Sequence, residues 1–193
     1  MKKRMNKGIL FLFAMVLLSA CTEYMPKPRG YFRIDLQEKS YKRFHTEGFP
    51  CSFEYADNVS VVKTSGVEAD SVWVDIIYPQ YNARIYGTYR KVNGNFAQLS
   101  EEAYKLVYQP HVSKAEGINT SFFSSDEHKV YGMLYELKGN TASNIQFAMS
   151  DSTRHFLRGA LYFNASPNKD SIAPVVDYIK EDIINLINTL EWK

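Results

Sequence analysis

Asp151, His155 and Arg158 fall within eight positions of one another, the densest grouping in the chain of side chains able to move a proton or hold an anion. They belong to the run Asp151-Ser152-Thr153-Arg154-His155-Phe156-Leu157-Arg158-Gly159-Ala160-Leu161-Tyr162-Phe163. Read as a strand from His155, it places His155, Leu157 and Gly159 on one face and Phe156, Arg158, Ala160 and Tyr162 on the other. A guanidinium among aromatic and small residues needs a carboxylate or a ligand, because an unpaired buried charge is costly. Structural pairing of Arg158 with Asp151 or Asp170 is the favoured reading. A pocket for an anionic or glycan group is the second, and a hydrolytic site using Asp151, His155 or Asp170 the third.

Other chemistry is sparse. The sequence has no GxSxG elbow, Walker loop, GxGxxG, HExxH or CxxC, so no catalytic residue set is assigned. His45, His111, His128 and His155 are 66, 17 and 27 residues apart with no helical i, i+4 pair, so no metal and no cofactor are expected. The aromatics, 14 Tyr, 12 Phe and 2 Trp, read mainly as core of a sheet-rich domain. Tyr78, Tyr81, Tyr86 and Tyr89 cluster around one turn and are the subset expected to reach a partner.

The elements that must position these groups follow from periodicity. Val72, Val74, Ile76 and Tyr78 share one parity and Trp73 and Ile77 the other, which predicts a strand buried on both faces. Alternation resumes over 83–90, so Pro79 to Asn82 should close a hairpin. Phe96, Leu99, Ala103, Leu106 and Val107 then recur at helical spacing, with Pro110 to end the helix. Short alternating runs return at 120–123, 130–137, 145–149 and 155–163. Ile172, Val176, Ile179, Ile183, Ile187 and Leu190 form one face of a closing helix, with Asp170 or Ser171 as cap and Pro174 in the first turn. This order predicts a single α+β domain: an antiparallel sheet of six to seven strands with a central helix and a long C-terminal helix packed on it. In element order it resembles the α/β/α sandwich of the Mog1/PsbP type.

The N-terminus decides location. Lys2, Lys3, Arg4 and Lys7 precede ten unbroken apolar residues, Ile9 to Leu18, about half of a membrane span, which reads as a secretory signal. Leu18-Ser19-Ala20-Cys21 has the spacing of a lipoprotein box, so Cys21 is the expected lipidated residue. The full chain has 193 residues with 23 basic and 21 acidic groups. Removing residues 1–20, with four bases and no acid, leaves 173 residues and a net charge of −2. That balance argues against nucleic acid as a partner. Residues 21–30, with Pro26, Pro28 and Gly30, read as a lipidated tether and 31–193 as the globular domain. Between Lys27 and Arg43, six bases (Lys27, Arg29, Arg33, Lys39, Lys42, Arg43) face only Asp35 and Glu38, a strip suited to anionic headgroups, solvent or a partner. Cys51, left without a second thiol once Cys21 is lipidated, should be buried and inert among Phe49, Phe53 and Tyr55.

Four separated motifs carry a family resemblance. Pro26-Lys27-Pro28-Arg29-Gly30-Tyr31-Phe32-Arg33-Ile34-Asp35-Leu36, Tyr78-Pro79-Gln80-Tyr81, His111-Val112-Ser113-Lys114-Ala115 and the block from His155 to Phe163 occur in that order. Together they resemble the gliding-motility lipoprotein GldD family of Bacteroidota, over essentially the whole mature chain. The resemblance implies a cell-envelope lipoprotein needed for gliding and the associated type IX secretion machinery, acting beside other envelope lipoproteins. It transfers no catalytic residues. Only Glu23 precedes Asp35 after Cys21; surface-exported lipoproteins of Bacteroidota tend to carry an acidic run there, so the resemblance implies a periplasm-facing anchor, with the outer membrane the expected site. The candidate partner surface is therefore Arg29, Tyr31, Arg33, Tyr78, Tyr81, Tyr86, Tyr89, Asp151, His155, Arg158 and Asp170. A peptidoglycan- or glycan-binding module is the alternative reading.

Overall fold

The computed structural model describes residues 34–65, 71–164 and 169–193. Strand alternation and turn chemistry account for most of the architecture. β1 (Tyr41–Phe44), β2 (Cys51–Ala56), β3 (Ser60–Ser65) and β4 (Ser71–Tyr78) come first. A 3-10 turn, Pro79–Tyr81, then leads into β5 (Ala83–Lys91). Asn82 closes that turn at φ 49°, a left-handed conformation that Asn tolerates better than most side chains. Helix α1 (Phe96–Tyr108) precedes β6 (Ala115–Ser125), β7 (Val130–Gly139), β8 (Ser143–Ser150) and β9 (His155–Phe163). Helix α2 (Lys169–Asn188) and the short β10 (Glu191–Trp192) complete the chain.

The strands form an antiparallel seven-stranded sheet in the order β3-β4-β5-β9-β8-β7-β6 and a separate three-stranded sheet, β1-β2-β10. Sheet parity sorts the core. Val74, Ile76, Ile85, Leu157, Leu161, Ile145, Phe147 and Met149 project to one face, where they pack with Ile179, Ile183, Leu186 and Ile187 of α2 and Cys51 and Phe53 of β2. On the opposite face Phe156 and Ala148 meet Leu99 and Ala103 of α1. The helices therefore cover opposite sides of one sheet, the single-domain α+β arrangement that the pattern predicts. Gly159 marks a close approach within it: a Cβ there would lie 2.2 Å from the Phe147 ring.

Four details differ from the sequence reading. The β4 strand is buried on one face only, because α1 does not reach that edge and Trp73 stays 40% exposed. Leu106, expected on the packed side of α1, is exposed, and the buried stripe is Leu99, Ala103 and Val107. Pro174 lies inside α2 and beyond its first turn, with its ring on the exposed side, where the one lost helical bond is most easily replaced by water. The deepest α2 positions also include Val175, Tyr178 and Leu186, whereas Ile172 and Val176 are half-buried, and Leu190 lies past the helix end.

The basic strip also changes meaning. Lys39 pairs with Asp182 at 2.8 Å and Glu181 at 3.0 Å, and its ammonium lies over the Tyr178 ring. Lys42 donates to the Asp57 carbonyl and Arg43 pairs with Glu191. Lys39 and Arg43 thus hold the start of the domain onto α2 and β10, and Lys42 holds it onto the β2–β3 turn, instead of the three forming a free strip. Lys27, Arg29 and Arg33 lie outside the described residues.

Candidate functional site

The sheet face that carries α1 is only partly covered. Register places Trp73, Thr88, Arg158 and Ala148 in one row across β4, β5, β9 and β8. Asp75, Tyr86, Ala160 and Gln146 form the next row. Ile77, Arg84 and Tyr162 form a third. Helix α1 sits over the β8 side of these rows, so Val62, Trp73 and Tyr86 are left 40–46% exposed on β3, β4 and β5. Arg84 bridges to Asp75 at 3.4 Å and lies over the Tyr86 ring, while Tyr86 meets Tyr162 edge-on at 5.7 Å. Burial raises the Asp75 carboxyl above its ordinary value, with Arg84 opposing.

Two recesses open on this face. One, of about 310 Å³, lies at the hairpin end and is lined by Ile77, Pro79, Arg84, Tyr86, Tyr162 and Phe163 among others. The second, of about 140 Å³, lies under α1 between Thr88, Arg90, Phe156 and Arg158 of the sheet and Leu99, Glu102, Ala103 and Leu106 of the helix.

Arg158 forms part of the smaller recess, held by a buried polar chain. Its Nη2 donates to Gln146 Oε1. The Gln146 amide nitrogen lies 3.2 Å from His111 Nε2, and an amide nitrogen can only donate, so His111 accepts. Burial first, then the nearby Arg158 and Lys114 charges, push the His111 pKa down, which suits a neutral acceptor. Burial also lowers the Arg158 pKa, against a smaller opposing effect of Tyr162. The expected pairing of Arg158 with Asp151 is corrected, because Asp151 sits at the β8–β9 turn with its carboxylate engaged there.

Asp151 Oδ1 accepts the backbone N–H groups of Thr153, Arg154 and His155 at 2.8–3.0 Å. Burial would raise its pKa, but these donors and the Thr153 side chain outweigh it and hold the carboxyl at about 2. His155 points to the α2 side. Its Nδ1 lies 2.9 Å from the Tyr89 hydroxyl, and its ring stacks on Trp192 at 5.1 Å and 7°. Burial lowers the His155 pKa, Asp151 pulls it up and Arg154 pulls it down. His155 and Arg158 thus lie on opposite faces of the sheet, so the three-residue cluster of the sequence does not form one site.

The tyrosines divide in the same way. Tyr86 is on the uncovered face, and Tyr81 is half-buried against Tyr178. Tyr78 and Tyr89, expected at a partner surface, are core residues at 1% and 6% exposure, because their parity turns them toward α2 and β2. Asp170 falls in the first turn of α2, and its side chain lies outside what is described, as do Cys21, Arg29 and Tyr31. Among the described residues no three His, Cys, Asp or Glu side chains converge as a metal site. Trp73, Gln146, His111 and the Arg90–Glu102 pair were not legible as parts of one face. The signal for Gln146 was a polar residue inside the apolar run 145–149.

Comparison with known proteins adds the following. The model of the family described as gliding motility lipoprotein GldD matches residues 21–192. No curated protein matches the chain. The solution structure of cyanobacterial PsbP (CyanoP) from Synechocystis sp. PCC 6803 is similar at 12% identity and a TM-score of 0.47, covering 86% of this chain and 100% of that one. No helix among the described residues is long and apolar enough to cross a membrane.

Proposed function

Because the chain belongs to the gliding motility lipoprotein GldD family, we propose that it is a lipid-anchored accessory protein of the gliding and type IX secretion machinery. In this reading Cys21 carries the lipid, residues 21–30 tether the domain 31–193 on the periplasmic side of the outer membrane, and the domain acts by docking on envelope proteins. Confinement to one membrane raises the effective concentration of such partners without any new contact. The observation that carries the docking role is the uncovered sheet face, where Val62, Trp73 and Tyr86 stand exposed beside two recesses. Aromatic anchors of this kind dominate the energetics of protein interfaces.

The test is made in intact cells. Photo-crosslinkers at positions 73 and 86 should capture an envelope protein, and one at Lys138, on another part of the molecule, should not. Cys21→Ser should abolish gliding with the fold intact. Normal gliding of the Cys21→Ser strain, or equal capture from all three positions, would overturn the proposal. The Tyr86–Tyr162 pair beside the larger recess favours a second reading, a glycan-binding module, which predicts co-sedimentation with purified cell wall and its loss in Tyr86→Ala.

A further inference from the structure

Among the described residues Arg158 presents a charge that is oriented by its neighbours but met by no carboxylate. Its Nη2 donates to Gln146 Oε1, and neutral His111 behind the amide fixes which way that oxygen points. Among the described residues no carboxylate pairs with it. Glu102, which lines the same recess, and Asp151, the partner expected from the sequence, are engaged elsewhere: the Glu102 oxygens accept from Arg90 and Gln98, both at 2.9 Å, and Asp151 Oδ1 holds the turn. A half-buried guanidinium that lines a recess without a carboxylate partner among the described residues is a costly arrangement unless an anion completes it.

We infer that the recess under α1 receives one carboxylate, the side chain of an acidic residue on a protein partner. This rests on the docking reading above and names what the docked surface must present. The shape and charge select the ligand class. About 140 Å³ admits a carboxylate on a short aliphatic stem. Leu99, Ala103, Leu106 and Phe156 supply apolar walls for that stem, and they lower the local dielectric in which the ion pair forms. With Arg90 already paired to Glu102, one positive charge remains, which matches a monoanion better than a doubly charged phosphate. The planar guanidinium fork suits the two carboxylate oxygens. Thr88, directly opposite Arg158 in the β5–β9 register, brings a hydroxyl to the same wall. Trp73 continues the row outward, so a partner chain that inserts its acid here would lie across the exposed aromatic face.

The experiment uses the whole lipoprotein purified in a nonionic detergent. It is titrated by calorimetry with acetyl-Gly-Glu-Gly-amide, the same peptide with Gln for Glu, acetate, and methyl phosphate. The Glu peptide should bind saturably and the Gln peptide should not. Acetate and methyl phosphate should bind more weakly than the Glu peptide. Arg158→Gln should weaken the Glu peptide by roughly tenfold or more, and Arg158→Lys should recover only part of that, since the charge remains but the fork does not. If Arg158→Gln does not fold, the wild-type protein decides: the Arg158 Nε–H resonance should move on addition of the Glu peptide. Equal behaviour of the Glu and Gln peptides, an unmoved Arg158 resonance, or tighter binding of acetate or phosphate than of the Glu peptide would overturn the inference. Should it fail while crosslinks from position 73 persist, docking stands and only its chemistry is wrong.

Discussion

Lys39 and Asp182, 143 positions apart, meet at 2.8 Å in the seam between the start of the domain and α2, with the Asp182 side chain 2% exposed. The same carboxylate accepts the hydroxyls of Tyr41 at 3.0 Å and Tyr78 at 3.2 Å. Burial first and Asp182 second raise the pKa of both tyrosines, so they remain donors. Removing the acid strands two tyrosine hydroxyls and leaves Lys39 with only Glu181 and the Tyr178 carbonyl. Asp182→Ala should therefore destabilise the domain by about 3 kcal/mol or more, measured by urea unfolding, whereas Asp182→Asn should lose less. An unchanged midpoint in Asp182→Ala would contradict this assignment.

Stability should fall on mild acidification. His111 and His155 both have pKa values lowered below 6.5 by burial, so the unfolded chain binds protons more readily than the folded one. Their contribution is fully present above pH 6.5 and is lost as pH drops through the lowered folded values. The thermal midpoint should decline between pH 7.5 and 5, and His155→Gln should flatten part of that decline. A midpoint that rises over this range would contradict the sign.

Gly159→Ala tests the packing of β9. The added methyl would lie 2.2 Å from the Phe147 ring, which must then move within a filled core. The expected cost is about 1–3 kcal/mol in denaturant unfolding. Recovery in the double variant Gly159→Ala with Phe147→Leu would identify the ring as the cause.

Trp73→Ala should separate function from folding. The side chain is 40% exposed, and the variant should stay within about 0.5 kcal/mol of wild type in urea. Gliding speed should nonetheless drop. Loss of both stability and gliding would make Trp73 a structural residue.

Cys51 is fully buried, and burial pushes its thiol up to about 12, with Lys193 opposing only weakly. A thiolate-seeking reagent should fail to label Cys51 in the native protein and label it at once in denaturant. Rapid native labelling would place the thiol at the surface.

Local pattern determined a great deal. Alternation over 83–90 and 155–163 set which side chains share a face, and the separation of His155 from Arg158 was already implied by their odd and even positions. Pro79 to Asn82 marked the hairpin, and the Ile-rich spacing marked α2, because turn chemistry and amphipathic period act within a few residues. The small sheet β1-β2-β10 was not legible: four-residue and two-residue strands carry no period of their own and exist only through pairing with β2. Tertiary structure alone decided which face of the large sheet α1 covers, and hence that Tyr86 is exposed while Tyr78 and Tyr89 are core. It also decided that Lys39 is an internal ion-pair partner and that Arg158 meets Gln146 and not Asp151. Those outcomes depend on where distant segments dock, and a side chain's own neighbours in the chain do not encode which remote element will desolvate it.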